Sequence, residues 1–181
     1  MGKATQKVIK KRMKNTSNII YTETDARDLD LIGPLWRKLI KHHKERALKV
    51  FSRHYDRINF DVRKKQLLEK SGNGAILIDL ARDGNTGALI GYCVSTVSEK
   101  KQGEIESIYI EAGYRRNSIG DNLMKRALKW LDARSVTKKI IGVAAGNEGV
   151  FAFYRRYNFY PRVSILEQVD TKEADSSLRS E

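Results

Sequence analysis

The 181-residue chain has one cysteine, no apolar run long enough to cross a bilayer and no recognisable metal-ligand spacing. A single cysteine, Cys93, excludes an internal disulfide and agrees with a reducing, cytoplasmic setting. It sits in the apolar pattern Ile90-Gly91-Tyr92-Cys93-Val94 and reads as a core residue rather than a nucleophile. The longest apolar runs, such as Ala88-Leu89-Ile90, fall far short of the ~20 residues a membrane span needs, so no membrane partner is expected. The first residues carry no apolar signal region, and Gln6 stands where myristoylation wants Ser or Thr. His42, His43 and His54 form no HExxH or Cys/His ligand set, and neighbouring helical histidines point to different faces. They read as surface or core side chains, and no metal is expected. Internal repeats and low-complexity tracts are absent as well.

What the chain does have is positive charge. Its net charge is +13, which favours an anionic partner. Lys3, Lys7, Lys10, Lys11, Arg12 and Lys14 place six cations and no acid in residues 1–17. Taking those six from +13 leaves +7 for the remainder, enough to attract a polyphosphate. The tail reads as a disordered, solvated extension, with a nucleic-acid or ribosome-binding arm as the alternative. Residues 18–169 are expected to form one domain, large enough for its own core, and 170–181 a polar C-terminal tail.

Periodicity predicts the order β-α-α-β-β-β-α-β-α-β. A first strand covers Asn18 to Glu23, and Asp25 to Asp28 supplies the start of a helix carrying Leu31, Leu35, Leu39 and Ile40 on one face. A second helical region runs from Leu48 to Lys70 with a break near Asn59, before the turn Ser71-Gly72-Asn73-Gly74. Residues 75–82 and 88–97 form a hairpin across Asp83-Gly84-Asn85-Thr86-Gly87. An alternating strand then begins at Gly103, a helix covers 118–134, a strand 139–145, a helix 147–157, and a terminal strand or hairpin arm 159–169.

The chemistry concentrates where the strand beginning at Gly103 meets the helix carrying Ile119, Leu123, Ala127 and Leu131. The turn between them, Tyr114 to Gly120, is compact and basic. A strand feeding such a turn at a helix start directs several backbone N–H groups outward at the positive end of the helix dipole, a geometry that holds a phosphate.

Arg115-Arg116-Asn117-Ser118-Ile119-Gly120 resembles the acyl-CoA motif Q/R-x-x-G-x-G/A of the GNAT acetyltransferase superfamily, with Ser118 in the place of the middle glycine. Asn147 to Phe159 resembles the family's second signature, N-x-x-A-x-x-L/F-Y-x-x-x-G-F, with Val150 for Ala and Asn158 for Gly. The two motifs come in the family's order and at its separation, and the resemblance spans about residues 18 to 168. It implies an α/β (α+β) GNAT fold: a mixed, mostly antiparallel twisted sheet of six to seven strands flanked by about four helices. It also implies acetyl-CoA as acyl donor, with no metal, an amine acceptor, and a homodimer as one option.

The resemblance further implies site residues. The turn from Arg115 through Asn117 and Ser118 to Asp121 would take the CoA pyrophosphate, and main-chain groups of Ile108, Tyr109 and Ile110 the pantetheine amides. Asn147 would bind the same arm, with helix capping as the alternative. Acetyl transfer needs an amine without its proton, a stabilised oxyanion and a protonated leaving thiolate. Tyr154 would protonate the thiolate, with core packing as its alternative. Glu104 and Glu106, two apart on one strand face, would each serve as proton acceptor, Glu106 ahead of Glu104, unless the amine arrives already neutral. Trp36, His54, Tyr55, Asp56 and Phe60 would line the acceptor pocket. The expected function is N-acetylation of a small molecule or peptide. Acetylation of a ribosomal or other protein amine is the alternative, and a non-catalytic CoA- or nucleic-acid-binding module the rival of another class.

Overall fold

In a computed structural model, which describes residues 18–72 and 74–168, five strands form one sheet in sequence order. The basic tail, Asn73 and the residues from 169 onward lie outside the described residues.

Strand β1 (Ile19–Thr24) runs antiparallel to β2 (Ala75–Asp83). A 3-10 turn, Ala26–Ile32, follows β1 and is started by Asp25, whose carboxylate accepts the Arg27 N–H at 3.0 Å. Helix α1 (Gly33–Lys44) has Pro34 in its first turn, where the missing N–H is harmless. The expected break near Asn59 separates α2 (Ser52–Arg57) from α3 (Phe60–Gly72). Ile58 is extended, and the Asn59 side chain accepts the Val62 N–H at 2.9 Å, closing off the first turn of α3.

β2 and β3 (Leu89–Val97) form the expected hairpin, and β4 (Gln102–Ile110) continues the antiparallel run. Helix α4 (Ile119–Asp132) carries the chain across to β5 (Lys138–Ile141), parallel to β4. A short α5 (Phe151–Arg155) follows a 3-10 turn at Glu148–Val150.

The two faces of the sheet carry separate cores. On one, Leu29, Ile32, Trp36, Phe60 and Leu67 pack on Ile78, Tyr92 and Val94. On the other, Ile119, Leu123, Met124, Ala127 and Leu131 of α4 cover Ile90, Cys93 and Ile105. The i, i+4 spacing on α4 makes that stripe continuous, and each large side chain so buried contributes roughly 1.5–3 kcal/mol. Cys93 lies in this second core with no exposed surface, and burial pushes its thiol up to about 12.

Two strand expectations need correction. The strand expected over 139–145 ends at Ile141, because its partner edge moves away from it beyond Ile105. The expected terminal strand does not form within 159–168, so the described sheet has five strands rather than six or seven. Its later apolar residues are left in solvent: Ile165 is 91% exposed and Leu166 94%. Strand pattern that pairs with no edge leaves the backbone hydrogen bonds to water.

The cause of the parting lies in β4. Val94 of β3 opposes Ser107, whereas its neighbour Ser95 opposes Ile105, so Glu106 is an extra residue in the ladder. Such a bulge bends its strand and increases the local twist. It also shifts the alternation: Ile105 packs in the α4 core, yet so do Ile108 and Ile110, while Tyr109 packs in the other.

A second constraint comes from the loop after β5. Gly146 has φ +85°, and an added Cβ there would stand 1.9 Å from the carbonyl oxygen of Arg46, just past the end of α1. Only glycine satisfies both conditions. Gly146→Ala is therefore expected to cost about 2–4 kcal/mol of unfolding free energy, read as a lower midpoint in chemical denaturation with little change in slope.

Candidate functional site

The β4–β5 ladder stops at the Ile105–Ile141 pair, leaving the far edge of Glu106 to Ile110 without a strand partner. A cavity of about 340 Å³ occupies the gap. One wall is β4, from Ile105 to Ile110, and the opposite wall is the segment Ile141 to Ala144 with Asn147. Phe153 and Tyr154 of α5 close one side and Leu39, His42 and His43 of α1 the other. Gly142, Val143 and Ala144 have small side chains, which keeps the second wall thin.

A second cavity of about 390 Å³ adjoins it, sharing Ile110, Arg115, Gly120 and Phe153. It surrounds the basic turn. Among the described residues, no carbonyl accepts the N–H of Arg116, Asn117 or Ser118. The first N–H groups of α4 add to these, since no preceding turn exists to receive them. Arg116 and Ser118 both hold the left-handed conformation, at φ +66° and +58°. The middle-glycine place thus does demand a positive φ, and Ser118 meets it at a cost of roughly 1–2 kcal/mol. A Cβ on Gly120 would meet Ile110 and Phe153 only at ordinary contact distance, 3.4 Å. The bare glycine thus sits in close packing with Ile110 and Phe153 beside unpartnered donors, and those donors are the arrangement a pyrophosphate fits.

The remaining residues of the turn divide. Arg115 donates to the Ile110 carbonyl at 3.0 Å and lies over the Tyr109 ring, while Arg116 lines the second cavity. Asn117 turns back to the Tyr114 carbonyl at 3.2 Å, away from the cavity. Ile119 points into the core. The Asp121 carboxylate is occupied by the Tyr157 hydroxyl and by Arg156 at 3.0 Å. Arg156 also lines this cavity, a third cation there that sequence reasoning missed although it lies inside the second motif.

Tyr154 projects into the first cavity, and burial pushes its phenol up to about 12, so it holds its proton at neutral pH. Asn147 lies on the opposite wall, and its side chain makes no capping hydrogen bond to the turn it begins. Its amide is therefore not committed to capping.

The strand carboxylates differ sharply. The Glu106 side chain is only 2% exposed. Its Oε1 accepts from Lys70 Nζ at 2.6 Å and Thr96 Oγ1 at 2.7 Å, and its Oε2 accepts from Arg63 at 2.7 Å. Burial works to raise its pKa, but the bonds from Lys70 and Thr96, with Arg63 beside them, outweigh it and hold the carboxyl below its usual range. Glu104 bonds the same Lys70 at 3.0 Å and opens onto a polar groove between α3 and β3 rather than the cavity. Arg63, Lys70 and Thr96 were not foreseen. Arg63 and Lys70 lie seven apart, on one face of α3, a spacing that matches two carboxylates on one strand face only once the packing partner is known.

The five expected acceptor contacts, Trp36, His54, Tyr55, Asp56 and Phe60, do not line either cavity. Trp36 and Phe60 are core residues with ring centroids 5.4 Å apart. Asp56 pairs with Lys44 at 2.5 Å, and His54 and Tyr55 pack on each other. The α1 side of the cavity is formed by Leu39, His42 and His43 instead.

A sequence profile of the Acetyltransferase (GNAT) family matches residues 36–159. The chain belongs to this family. It carries an acetyltransferase domain and is an acyltransferase. No curated protein sequence matches it significantly. Its fold is that of several solved structures. A GCN5-related N-acetyltransferase from Ralstonia eutropha is 16% identical with a TM-score of 0.64, covering 83% of this chain and 98% of its own. A ribosomal-protein-alanine N-acetyltransferase from Brucella melitensis is 18% identical at 0.57, covering 83% and 97%. AAC(6')-Iy, bound to a bisubstrate analog of CoA and acetylneamine, is 13% identical at 0.58, covering 84% and 99%. Among the described residues no helix is long and apolar enough to cross a membrane, and no group of His, Cys, Asp and Glu side chains could hold a metal.

Two expectations follow for this GNAT site. Glu106→Gln leaves Arg63 and Lys70 facing a neutral amide and costs about 2–3 kcal/mol. Because Glu106 is held below 4.5, that deficit is full above pH 4.5 and closes as acid protonates the wild-type carboxylate; urea melts of both proteins at several pH values measure it. Ser118→Gly relieves the left-handed residue and raises stability by about 0.5–1 kcal/mol, with acetyl-CoA affinity by calorimetry equal to or above wild type.

Proposed function

We propose that the protein transfers an acetyl group from acetyl-CoA directly to a primary amine of a small molecule or peptide. The observation that carries this reading is the opening between β4 and β5, which runs from the unpartnered N–H groups of the basic turn to the protonated hydroxyl of Tyr154.

In this reading the N–H groups of residues 116–120 and the cations Arg115, Arg116 and Arg156 hold the pyrophosphate. The free β4 edge at Ile108–Ile110 and the uncommitted amide of Asn147 bind the pantetheine arm as a strand would. A backbone N–H near Ile108 receives the oxyanion. The amine nitrogen attacks the thioester carbon, the carbon–sulfur bond breaks, and the sulfur takes the Tyr154 proton. A phenol held near 12 is a weak acid, but a leaving thiolate is a strong enough base to draw its proton as the bond breaks. Cys93 has no part, being sealed in the core.

Glu106 lines the cavity, yet all that faces it is already bonded. We read its role as electrostatic: one buried anion that anchors two cations of α3 beside the reacting centre. Acceptor identity follows from no single contact, since the fold is shared by AAC(6')-Iy, which holds an acetylneamine analog, and by a ribosomal-protein-alanine N-acetyltransferase.

Thiol release from acetyl-CoA with spermidine, kanamycin and an alanyl peptide tests the reading, and an enzyme that binds no acetyl-CoA refutes it. Tyr154→Phe is expected to lower kcat about 100-fold or more with acetyl-CoA affinity within about threefold of wild type; an unchanged kcat removes Tyr154 from the acid role.

A further inference from the structure

The first cavity contains an ionisable group that neither motif includes. His43 of α1 lines the same cavity as Tyr154, and its Nδ1 is enclosed with no hydrogen-bond partner. Its ring makes tilted contacts with His42 and Tyr55 at centroid distances of 6.2 and 6.3 Å. This inference rests on the transfer reading above.

We propose that His43 is the proton acceptor of this site, taking the proton that the amine nitrogen loses as its bond to the thioester carbon forms. Ser107 and Asn147 also line the cavity but are not bases, and the other ionisable groups there are each committed or turned away. Both oxygens of Glu106 are bonded to Lys70, Thr96 and Arg63. Tyr154 keeps its proton and is the donor for sulfur. Arg115 is a cation bonded to Ile110. Tyr109 faces the other core, and burial raises its phenol. His42 receives the Arg46 guanidinium on Nδ1 at 3.0 Å. His43 remains, a neutral imidazole with a lone pair.

Burial first, then His42 and Arg46, hold His43 below its ordinary value of 6.5. The charged and titratable groups around it are His42 and Arg46 on its own helical turn, Tyr55 of α2, Glu106 of β4, and Tyr154 of α5. A weak base suffices here. An ammonium entering a desolvated cavity gives its first proton to water, and a nitrogen bonded to a carbonyl carbon becomes far more acidic than the free ammonium. The balance is then complete. The neutral amine forms the C–N bond, its second proton passes to the imidazole, and the C–S bond breaks as sulfur takes the Tyr154 proton. The imidazolium and the phenolate return to their starting states through solvent, leaving amide and free CoA.

His43→Gln and His43→Ala in the full chain test this with the same three amines. Expected are acetyl-CoA affinity by calorimetry within about threefold of wild type and kcat/KM for the amine reduced about 100-fold. The acid limb of the wild-type profile, which falls below pH 6.5, should vanish. Added imidazole should restore turnover to His43→Ala and not to Tyr154→Phe. A His43→Gln enzyme with wild-type turnover and an unchanged acid limb overturns the proposal while leaving acetyl transfer intact. A wild-type protein that binds no acetyl-CoA overturns the transfer reading, and the base with it. Should both variants melt early, nitrogen-15 signals of the wild-type imidazoles decide: His43 must titrate along the acid limb, and a ring unresponsive to pH there refutes its role.

Discussion

The extra residue in β4 is the constraint on which the rest of the molecule depends. Without Glu106 in the ladder, β4 and β5 would pair along their whole length and no cleft would open. With it, the ladder stops one residue earlier, at Ile105, and the strand bends away. A bulge must be held, because the residue it adds has no partner on the next strand. Here the added residue is a carboxylate, and Arg63, Lys70 and Thr96 fix it from α3 and β3. Glu106 is the buried member, so removing a cation leaves its charge short of a partner, and the cluster keeps the bulge in one geometry. The same three contacts thus serve the backbone first and the electrostatics of the cleft second.

The basic turn before α4 illustrates the opposite strategy, where conformation is strained rather than neutralised. Arg116 and Ser118 sit in left-handed backbone although neither is glycine. The buried stripe of α4 immediately after them supplies the stability that keeps the turn so. Strain in the turn and apolar burial in the helix are adjacent in sequence, and the second offsets the first.

Much of this was legible beforehand, for identifiable reasons. The 119-123-127-131 spacing, the hairpin turn at 83–87 and the break at Asn59 are local signals, and each produced the element it announces. Arg115, Gly120, Asn147 and Tyr154 lie on the walls of the two joined cavities, because short motifs encode a turn and a helix start that the chain builds locally. What escaped is non-local. Whether Arg63 and Lys70 meet Glu106 depends on which face of the sheet α3 covers. The bulge is a property of two strands in register, invisible in either alone. The segment 159–168 has the pattern of a strand and pairs with none, since pairing is decided between strands and not within one. His42 and His43 were judged by ligand spacing, which says nothing of a cavity completed by β4 and α5, distant in sequence.

The contact between Gly146 and the carbonyl of Arg46 ties the end of α1 to the loop that presents Asn147. The two sides of the cleft are thus riveted at one point. An α1 pressed toward this loop would push on the segment that carries Asn147, so in the proposed transfer the room left for an acceptor and the seating of the donor would be set against one another.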